Sequence, residues 1–385
     1  MLLWSRMEWI LRTFFVLIAC ALASCHSPRP IPGSASVAGW QKKFAALDCW
    51  NPRHFYDMAS TEPVLFAMAR ICHRRLTVVA IDARTDEVRA VPFTAITVGG
   101  VHYTASGDVV WYSSSLSDEF KSPNHASAFT LRKGELKEQR IGRLEVPFEI
   151  GAGIGFIKGE GCHLVSFHNR LVDEKTPRLS QYFIVKDEQP FSSSKALDGV
   201  GRGLFWDPVR RHFVVQKQPP SNVGYRARQP LDRYAIDCSG ATVAMDAEVI
   251  RRLEPIRDES ATYVMSHKGD LLVAARKEHS EEDVITVFNG DKTSHINPPE
   301  HYTPCPDLGC DPFYEHIFPE AWSPSGEHFM VTVGFKRVDI YRAADMQIVK
   351  QWKMKGSRDF PVYGFINDHV AYGFGEHSRL TFQEW

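Results

Sequence analysis

One phrase recurs along this chain and limits what the chain can become. Its clearest copy is Trp322-Ser-Pro-Ser-Gly-Glu-His-Phe-Met-Val-Thr-Val333, a polar turn with Pro and Gly that leads into an alternating apolar strand. A second strand, Val338 to Tyr341, follows, then a turn from Arg342 to Asp345 and a third strand from Gln347 to Trp352. Earlier copies keep this grammar. Met265 to Ala274 precedes Val284 to Phe288, Trp206 to Val215 precedes Arg233 to Ile236, Phe156 to Phe167 precedes Tyr182 to Val185, and Tyr103 to Tyr112 precedes Ala128 to Leu131. Two degenerate copies, residues 64–93 and 363–385, bracket the set. Turn anchors at Gly107, Gly159, Arg210, Gly269, Gly326 and Asp368 stand 52, 51, 59, 57 and 42 residues apart. One such unit cannot bury its own apolar face, so the copies must stack on one another.

Propeller blades repeat every ~40–50 residues, and the observed intervals suit blades with loops of variable length. Short strands broken by Gly, Pro, Asn and Asp read as antiparallel meanders. Long amphipathic helical patterns are nearly absent, with one short helix expected from Asp246 to Leu253. The expected fold is therefore all-β: a β-propeller of seven blades, with six or eight as the alternatives. A β-sandwich ranks behind it, because it repeats strands but not whole phrases. The last unit ends on its third strand, Leu380 to Gln383. A segment between Trp40 and Met68 is expected to supply an N-terminal strand that closes the ring, since an open sheet edge invites aggregation. The Ser-Pro-x-Gly and Asp-Ile-Tyr phrases of residues 318–352 resemble the repeats of WD-type and TolB-type propellers. Ala344 to Trp352 is also similar to the outer-strand phrase of quinoprotein propellers. It lacks their Thr-Gly and occurs once, so no pyrroloquinoline and no other cofactor is expected.

The N-terminus carries a different signal. Arg6 and Arg12 flank an apolar start, Phe14 to Ala23 is a ten-residue apolar run, and Leu22-Ala23-Ser24-Cys25 ends it. The run is too short to span a ~30 Å hydrocarbon core. It has the layout of an export signal with small residues before the cut. With Cys25 at the cut site, the segment resembles the lipobox of bacterial lipoproteins; a plain signal peptide with an incidental cysteine is the alternative. The resemblance implies a signal peptide at 1–24, acylated Cys25 and a Pro- and Ser-rich tether at 25–39, and a single propeller domain at 40–385. Several acyl chains, each CH₂ contributing ~0.8 kcal/mol, make a stable membrane anchor. Position 26 is His rather than Asp, which by the same analogy places the protein on the outer membrane, facing the periplasm.

Removing residues 1–24 takes away Arg6, Arg12 and Glu8 and leaves a net charge near −2. A near-neutral chain has no bulk electrostatic reason to bind nucleic acid. Six further cysteines invite disulfides in an oxidising compartment. Cys305 and Cys310, separated by Pro-Asp-Leu-Gly, form the leading pair, followed by Cys162 with Cys238 and Cys49 with Cys72; six cysteines allow 15 pairings.

Catalytic motifs are missing. The chain has no G-x-S-x-G, H-E-x-x-H, C-x-x-C, Walker A or EF-hand pattern. Residues 301–316 gather His301, Cys305, Asp307, Cys310, Asp311, Glu315 and His316. A disulfide-pinned loop, a partner-binding loop and a zinc site are the readings of that segment, and no metal is assigned. His163 and His168 differ by five positions on one strand and so should face opposite sides as structural histidines. The basic runs His73-Arg74-Arg75, Arg210-Arg211-His212 and Arg251-Arg252 read chiefly as solvated charge. Three long loops carry aromatic residues: Trp111, Tyr112 and Phe120 in or beside 113–126, Tyr225 in 216–230, and Tyr302, Phe313 and Tyr314 in 295–319. Such side chains on a rigid scaffold are protein-binding anchors. The expected role is a non-catalytic protein-binding scaffold at the cell envelope, in immunity or envelope assembly. The segment Asp48 to Asp82 resembles the immunity lipoproteins of type VI lipase effectors. The alternative is a propeller hydrolase or lactonase with a channel metal, and a glycan or small-molecule binder is a third possibility.

Overall fold

The computed structural model describes Gly39, Lys42 and residues 57–385 apart from 115–124, 170–178, 218–231, 257–260, 277–282, 298–316, 354–363, 375–379 and a few short turns. The chain divides at Gly33 and Ser34, and the description below concerns the second unit.

The described strands form seven antiparallel sheets, six of four strands and one of three. The first holds β1 (Asp57–Glu62), β2 (Leu65–Cys72), β3 (Arg75–Asp82) and β4 (Glu87–Pro92). The second holds β5 (Thr97–Tyr103), β6 (Val109–Ser114), β7 (His125–Leu131) and β8 (Gln139–Glu145). The third holds β9 (Ile150–Lys158), β10 (Cys162–Asn169), β11 (Ser180–Lys186) and β12 (Lys195–Leu197). The fourth holds β13 (Val200–Asp207), β14 (His212–Lys217), β15 (Arg233–Ile236) and β16 (Thr242–Val243). The fifth holds β17 (Thr262–Met265), β18 (Leu271–Arg276), β19 (Asp283–Asn289) and β20 (Lys292–Ile296). The sixth holds β21 (Ile317–Trp322), β22 (His328–Val333), β23 (Arg337–Arg342) and β24 (Ile348–Lys353), and the seventh β25 (Gly364–Phe365), β26 (Val370–Phe374) and β27 (Leu380–Glu384).

Each sheet pairs its strands in chain order. The first strands β1, β5, β9, β13, β17, β21 and β25 are successive neighbours. That is propeller architecture, as the repeat implied. β1 lies inside the segment expected to supply a closing strand, but it pairs with β2 as the first strand of the first sheet. Most of the remainder of 40–56 lies outside the described residues.

The second strands explain why their sequences read as unbroken apolar runs. β10, β14, β18 and β22 are covered on both faces by a neighbouring sheet, so both parities are buried. On β10, Cys162 and Leu164 pack toward the fourth sheet, while Val165 and Phe167 pack toward the second. On β14, Phe213 and Val215 face the third sheet and Val214 faces the fifth. On β22, Phe329, Val331 and Val333 face the fifth sheet and Met330 faces the seventh. The core is thus a series of clusters between sheets, each fully buried large side chain contributing about 1.5–3 kcal/mol.

The recurring turn between the first and second strands has a local cause. Its first residue is Thr104, Asp207, Ser266 or Ser323, whose side chain can accept from the turn's own amides. Val209 and Arg210 N–H donate to Asp207 Oδ1 at 3.0 and 3.1 Å, and Lys268 and Asp270 N–H donate to Ser266 Oγ at 3.2 and 3.0 Å. Gly107, Gly269 and Gly326 then take positive φ, at 87°, 88° and 70°, where a side chain is strained.

An α-helix, α1 (Ala247–Leu253), follows Asp246 as its N-cap. Asp246 accepts the Glu248 N–H at 2.8 Å and pairs with Arg210 at 3.0 Å. The Arg210 hydrogen bond and the Glu248 amide hold its carboxyl below the usual carboxylate range. A depressed acid contributes stability above its unfolded pKa and loses it as pH falls through the folded one. Asp246→Ala should therefore cost about 1 kcal/mol at neutral pH. The gap from wild type should shrink on acidification below pH ~4; parallel chemical denaturation of both proteins across pH checks this.

Cys162 and Cys238 are joined, with their Cα atoms 5.8 Å apart. The bond ties the start of β10 to the chain just after β15, so it staples the third sheet to the fourth.

Candidate functional site

The two ends of the sheets differ. In a meander the first and third connections lie at one end, and the second connection and the passage to the next sheet lie at the other. Neighbouring sheets are aligned in the same sense. Trp322 Nε1 donates to Val264 O at 3.1 Å, Ser325 N–H donates to Asp368 Oδ1 at 2.9 Å, and Gly326 lies against His267 and Lys268. The end with the short turns is laced by bonds between sheets. Arg89 donates to Gly107 O and Arg132 O at 3.4 and 3.2 Å, Arg252 to Gly269 O and Gly290 O at 2.9 and 2.8 Å, and Asn289 to Ala343 O at 2.9 Å. Strand ends flanking 115–124, 170–178, 218–231, 298–316 and 354–363 all lie at the opposite end. The strand ends that bound the long loops expected from sequence therefore lie on one rim.

The densest polar cluster among the described residues lies where the second and third sheets meet. It brings together His102 on β5, His163 on β10 and Asp187 just after β11, with one ligand atom from each within 4.8 Å of the others. Both imidazoles are buried, at 1% exposure each, while the Asp187 side chain keeps 24%. The local backbone explains the placement of His102. The β5–β6 register shifts between Gly99 and His102, a bulge that re-aims the side chain. Gly100 takes φ 63° inside the bulge, and a Cβ there would stand 2.6 Å from Tyr112 Cδ2 and 2.7 Å from Phe156 Cδ2. No other residue type fits, and the Gly100 carbonyl that the bulge exposes accepts from His102 Nδ1 at 2.7 Å. A carbonyl only accepts, so Nδ1 carries the proton and Nε2 keeps its lone pair.

His163 sits edge-on to His102, with ring centroids 4.2 Å apart, and Phe156 stacks on His102 at 5.1 Å. His163 Nε2 lies 2.5 Å from Asp187 Oδ1, and its Nδ1 has no hydrogen-bond partner among the described residues. Burial, followed by the neighbouring His163, pushes His102 down to about 3, against the opposing pull of the Gly100 carbonyl and Asp187. For Asp187, burial acts upward but is outweighed by the His163 hydrogen bond and charge and by His102 and Lys158, and its carboxyl falls below its ordinary value. Burial and Asp187 raise Tyr112. Two imidazoles and a carboxylate can move a proton or hold a cation. His168 stands on the other face, bonded to Ser180 Oγ at 2.7 Å and Ser166 Oγ at 3.2 Å rather than to a carboxylate.

The residues chosen from sequence are placed unevenly. Trp111 and Tyr112 are buried, at 0% and 1% exposure, because β6 carries them between sheets before the loop begins. They are core residues and not loop anchors. Phe120, Tyr225, Tyr302, Phe313 and Tyr314 lie outside the described residues, as do Cys25, Cys49, Cys305 and Cys310, and for Cys72 only its place at the end of β2 is described. The basic runs form no open patch among the described residues: Arg210 pairs with Asp207 and Asp246, Arg211 with Glu160, and Arg252 is buried against Phe288. His163 is placed with His102 and Asp187, neither of which the sequence reading had selected. The one available signal was the Gly99-Gly100 pair two residues before His102 in a strand, which marks a bulge.

A channel metal needs ligands from the inner strands of several sheets. Here only His102 comes from a first strand.

No protein-family model matches the chain, and no curated protein does. Solved propellers do match in fold. An oligogalacturonate lyase from Vibrio parahaemolyticus is 10% identical, covers 87% of this chain and 90% of its own, and superposes with a TM-score of 0.57. The β-propeller domain of Cps50 (Swd1) from Myceliophteria thermophila is 12% identical, with 88% and 99% coverage and a TM-score of 0.50. At these identities the likeness is one of fold.

Proposed function

We propose that this chain is a protein-binding scaffold whose long-loop rim receives a partner protein at the cell envelope. The observation that carries this reading is the asymmetry of the two ends. Short turns, bonded from sheet to sheet, close one end, and the strand ends that bound 115–124, 170–178, 218–231, 298–316 and 354–363 all lie at the other. A rigid frame that holds several variable loops on one side is a common arrangement for recognition. The Cys162–Cys238 bond is in keeping with an oxidising compartment such as the periplasm. Lipidation at Cys25, on the outer membrane, would confine the rim to a membrane surface and raise its effective concentration for a partner there. Immunity against a secreted effector and a part in envelope assembly are the two roles that suit such a tethered binder.

The test compares two variants of the full-length chain in envelopes by in-cell crosslinking. Phe120→Ala/Tyr225→Ala/Tyr314→Ala alters the rim, and Glu160→Ala/Arg211→Ala alters the opposite end. The rim variant should lose roughly ten-fold or more of its crosslinked partner, since anchor truncations each cost over ~1 kcal/mol. The other should retain it. Equal capture by both would remove the rim from the proposal.

A further inference from the structure

We propose that His102, His163 and Asp187 form a binding site for a divalent transition ion of zinc's class, which pins the second sheet to the third. The first argument is the donor set. Two imidazole nitrogens and one carboxylate oxygen suit a borderline cation such as Zn²⁺ and leave a fourth position for water. They suit Ca²⁺ or Mg²⁺ poorly, because those ions prefer oxygen.

The second argument is the shell around the donors. A metal-bound histidine almost always donates its other ring N–H to a carbonyl or carboxylate, which fixes the tautomer and aims the lone pair. His102 already does so, through Nδ1 to the Gly100 carbonyl at 2.7 Å. The bulge that exposes this carbonyl depends on a glycine at positive φ. Phe156 and Tyr112 wall the imidazole, at centroid distances of 5.1 and 5.9 Å, and keep it dry.

The third argument is an unfilled requirement. His163 is 1% exposed and has a ring nitrogen with no hydrogen-bond partner among the described residues. Its other nitrogen faces Asp187. Buried polar groups without partners are uncommon and call for an explanation such as an ion. The three ligand atoms lie within 4.8 Å of one another. Ligands about 2.0–2.2 Å from zinc stand ~3.4 Å apart in a tetrahedron, so a small convergence completes the site. The partly exposed Asp187 side chain, just after β11, provides the entry path. Ion binding requires both imidazoles to be neutral, so it competes with protons.

The experiment uses the full chain in detergent, stripped with chelator and without reductant, and then dialysed against Zn²⁺ or Co²⁺. Metal per chain is measured by mass spectrometry, the ligand shell by X-ray absorption, and stability by thermal unfolding. The expected result is one retained ion per chain and a shell of nitrogen and oxygen with no sulfur at ~2.3 Å. A thermal midpoint that rises by several degrees with Zn²⁺ is expected as well. His102→Gln and Asp187→Asn should each lose the ion and the thermal shift. A chain carrying His301→Gln, Cys305→Ser, Cys310→Ser and His316→Gln should keep both. No retained ion in the wild type overturns the proposal. So does a sulfur-containing shell, or binding that survives Asp187→Asn and disappears in the four-substitution chain. The wild-type ligand shell decides the matter even where a variant fails to fold.

Discussion

Replacing both halves of the Cys162–Cys238 bond with alanine should lower the stability of the propeller by about 4 kcal/mol. The bond spans a sequence separation of 76 residues. Closing a loop of that length removes about 4.5 kcal/mol of conformational entropy from the unfolded chain at 25 °C in the chain-entropy model. The folded state loses little besides, because alanine keeps most of the packing of a small buried side chain. In urea the midpoint of Cys162→Ala/Cys238→Ala should fall by roughly 1 M relative to the oxidised wild type. Reductant should shift the wild type toward the variant and leave the variant unchanged. Hydrogen exchange should quicken first in β10 and β15, on the two sides of the bond. An unchanged midpoint under non-reducing conditions would sink the claim that this staple matters.

A loss of 3–5 kcal/mol is expected for Phe329→Ala, by the cost of a large-to-small change in a core that cannot collapse. Phe329 is fully buried on β22, between the fifth and sixth sheets. Its ring stacks on Tyr341 with centroids 5.2 Å apart and planes 5° from parallel, and it packs on Trp322 at 5.1 Å. Trp322 is in turn bonded to the fifth sheet through Val264, so the surrounding groups are tied on two sides. Phe329→Leu keeps most of the volume and should cost less than half as much. Thermal unfolding followed by both tryptophan fluorescence and far-ultraviolet dichroism measures the loss. A change below about 1 kcal/mol would mean that the sheets close up around the cavity.

Phe329 also shows how much of the fold was legible. It lies in the clearest copy of the recurring phrase, and all six turn anchors chosen from sequence fall in the connection between a first and a second strand. That connection is readable because its causes are local. A Thr, Asp or Ser caps its own amides, a glycine takes positive φ, and the following strand shows its apolar run. Asp246 was legible for the same reason, since an N-cap acts within three residues. The side-chain roles of Trp111 and Tyr112 were misplaced by position, because the strand β6 continues past them and buries both. Arg252 was read as solvated charge. In the structure it is buried and bridges the turns of Gly269 and Gly290, two groups far from it in sequence.

The His102 cluster was the least legible. Two members lie on strands of different sheets and the third just after a strand, and each is unremarkable where it stands in the chain. Only the Gly99-Gly100 pair hinted that the backbone there departs from a plain strand.

By itself the sequence determined the all-β repeat, the chemistry of the recurring turn and the existence of long loops. These follow from period-two patterning and from side chains that bond within a few residues of their own backbone. Tertiary structure alone decided which cysteines meet, that the strand ends bounding the long loops lie on one rim, and that two histidines and an aspartate converge between two sheets. Such outcomes depend on how whole sheets pack side by side. Burial removes water as an alternative partner, so polar groups must then find one another across sequence distances that no local pattern records.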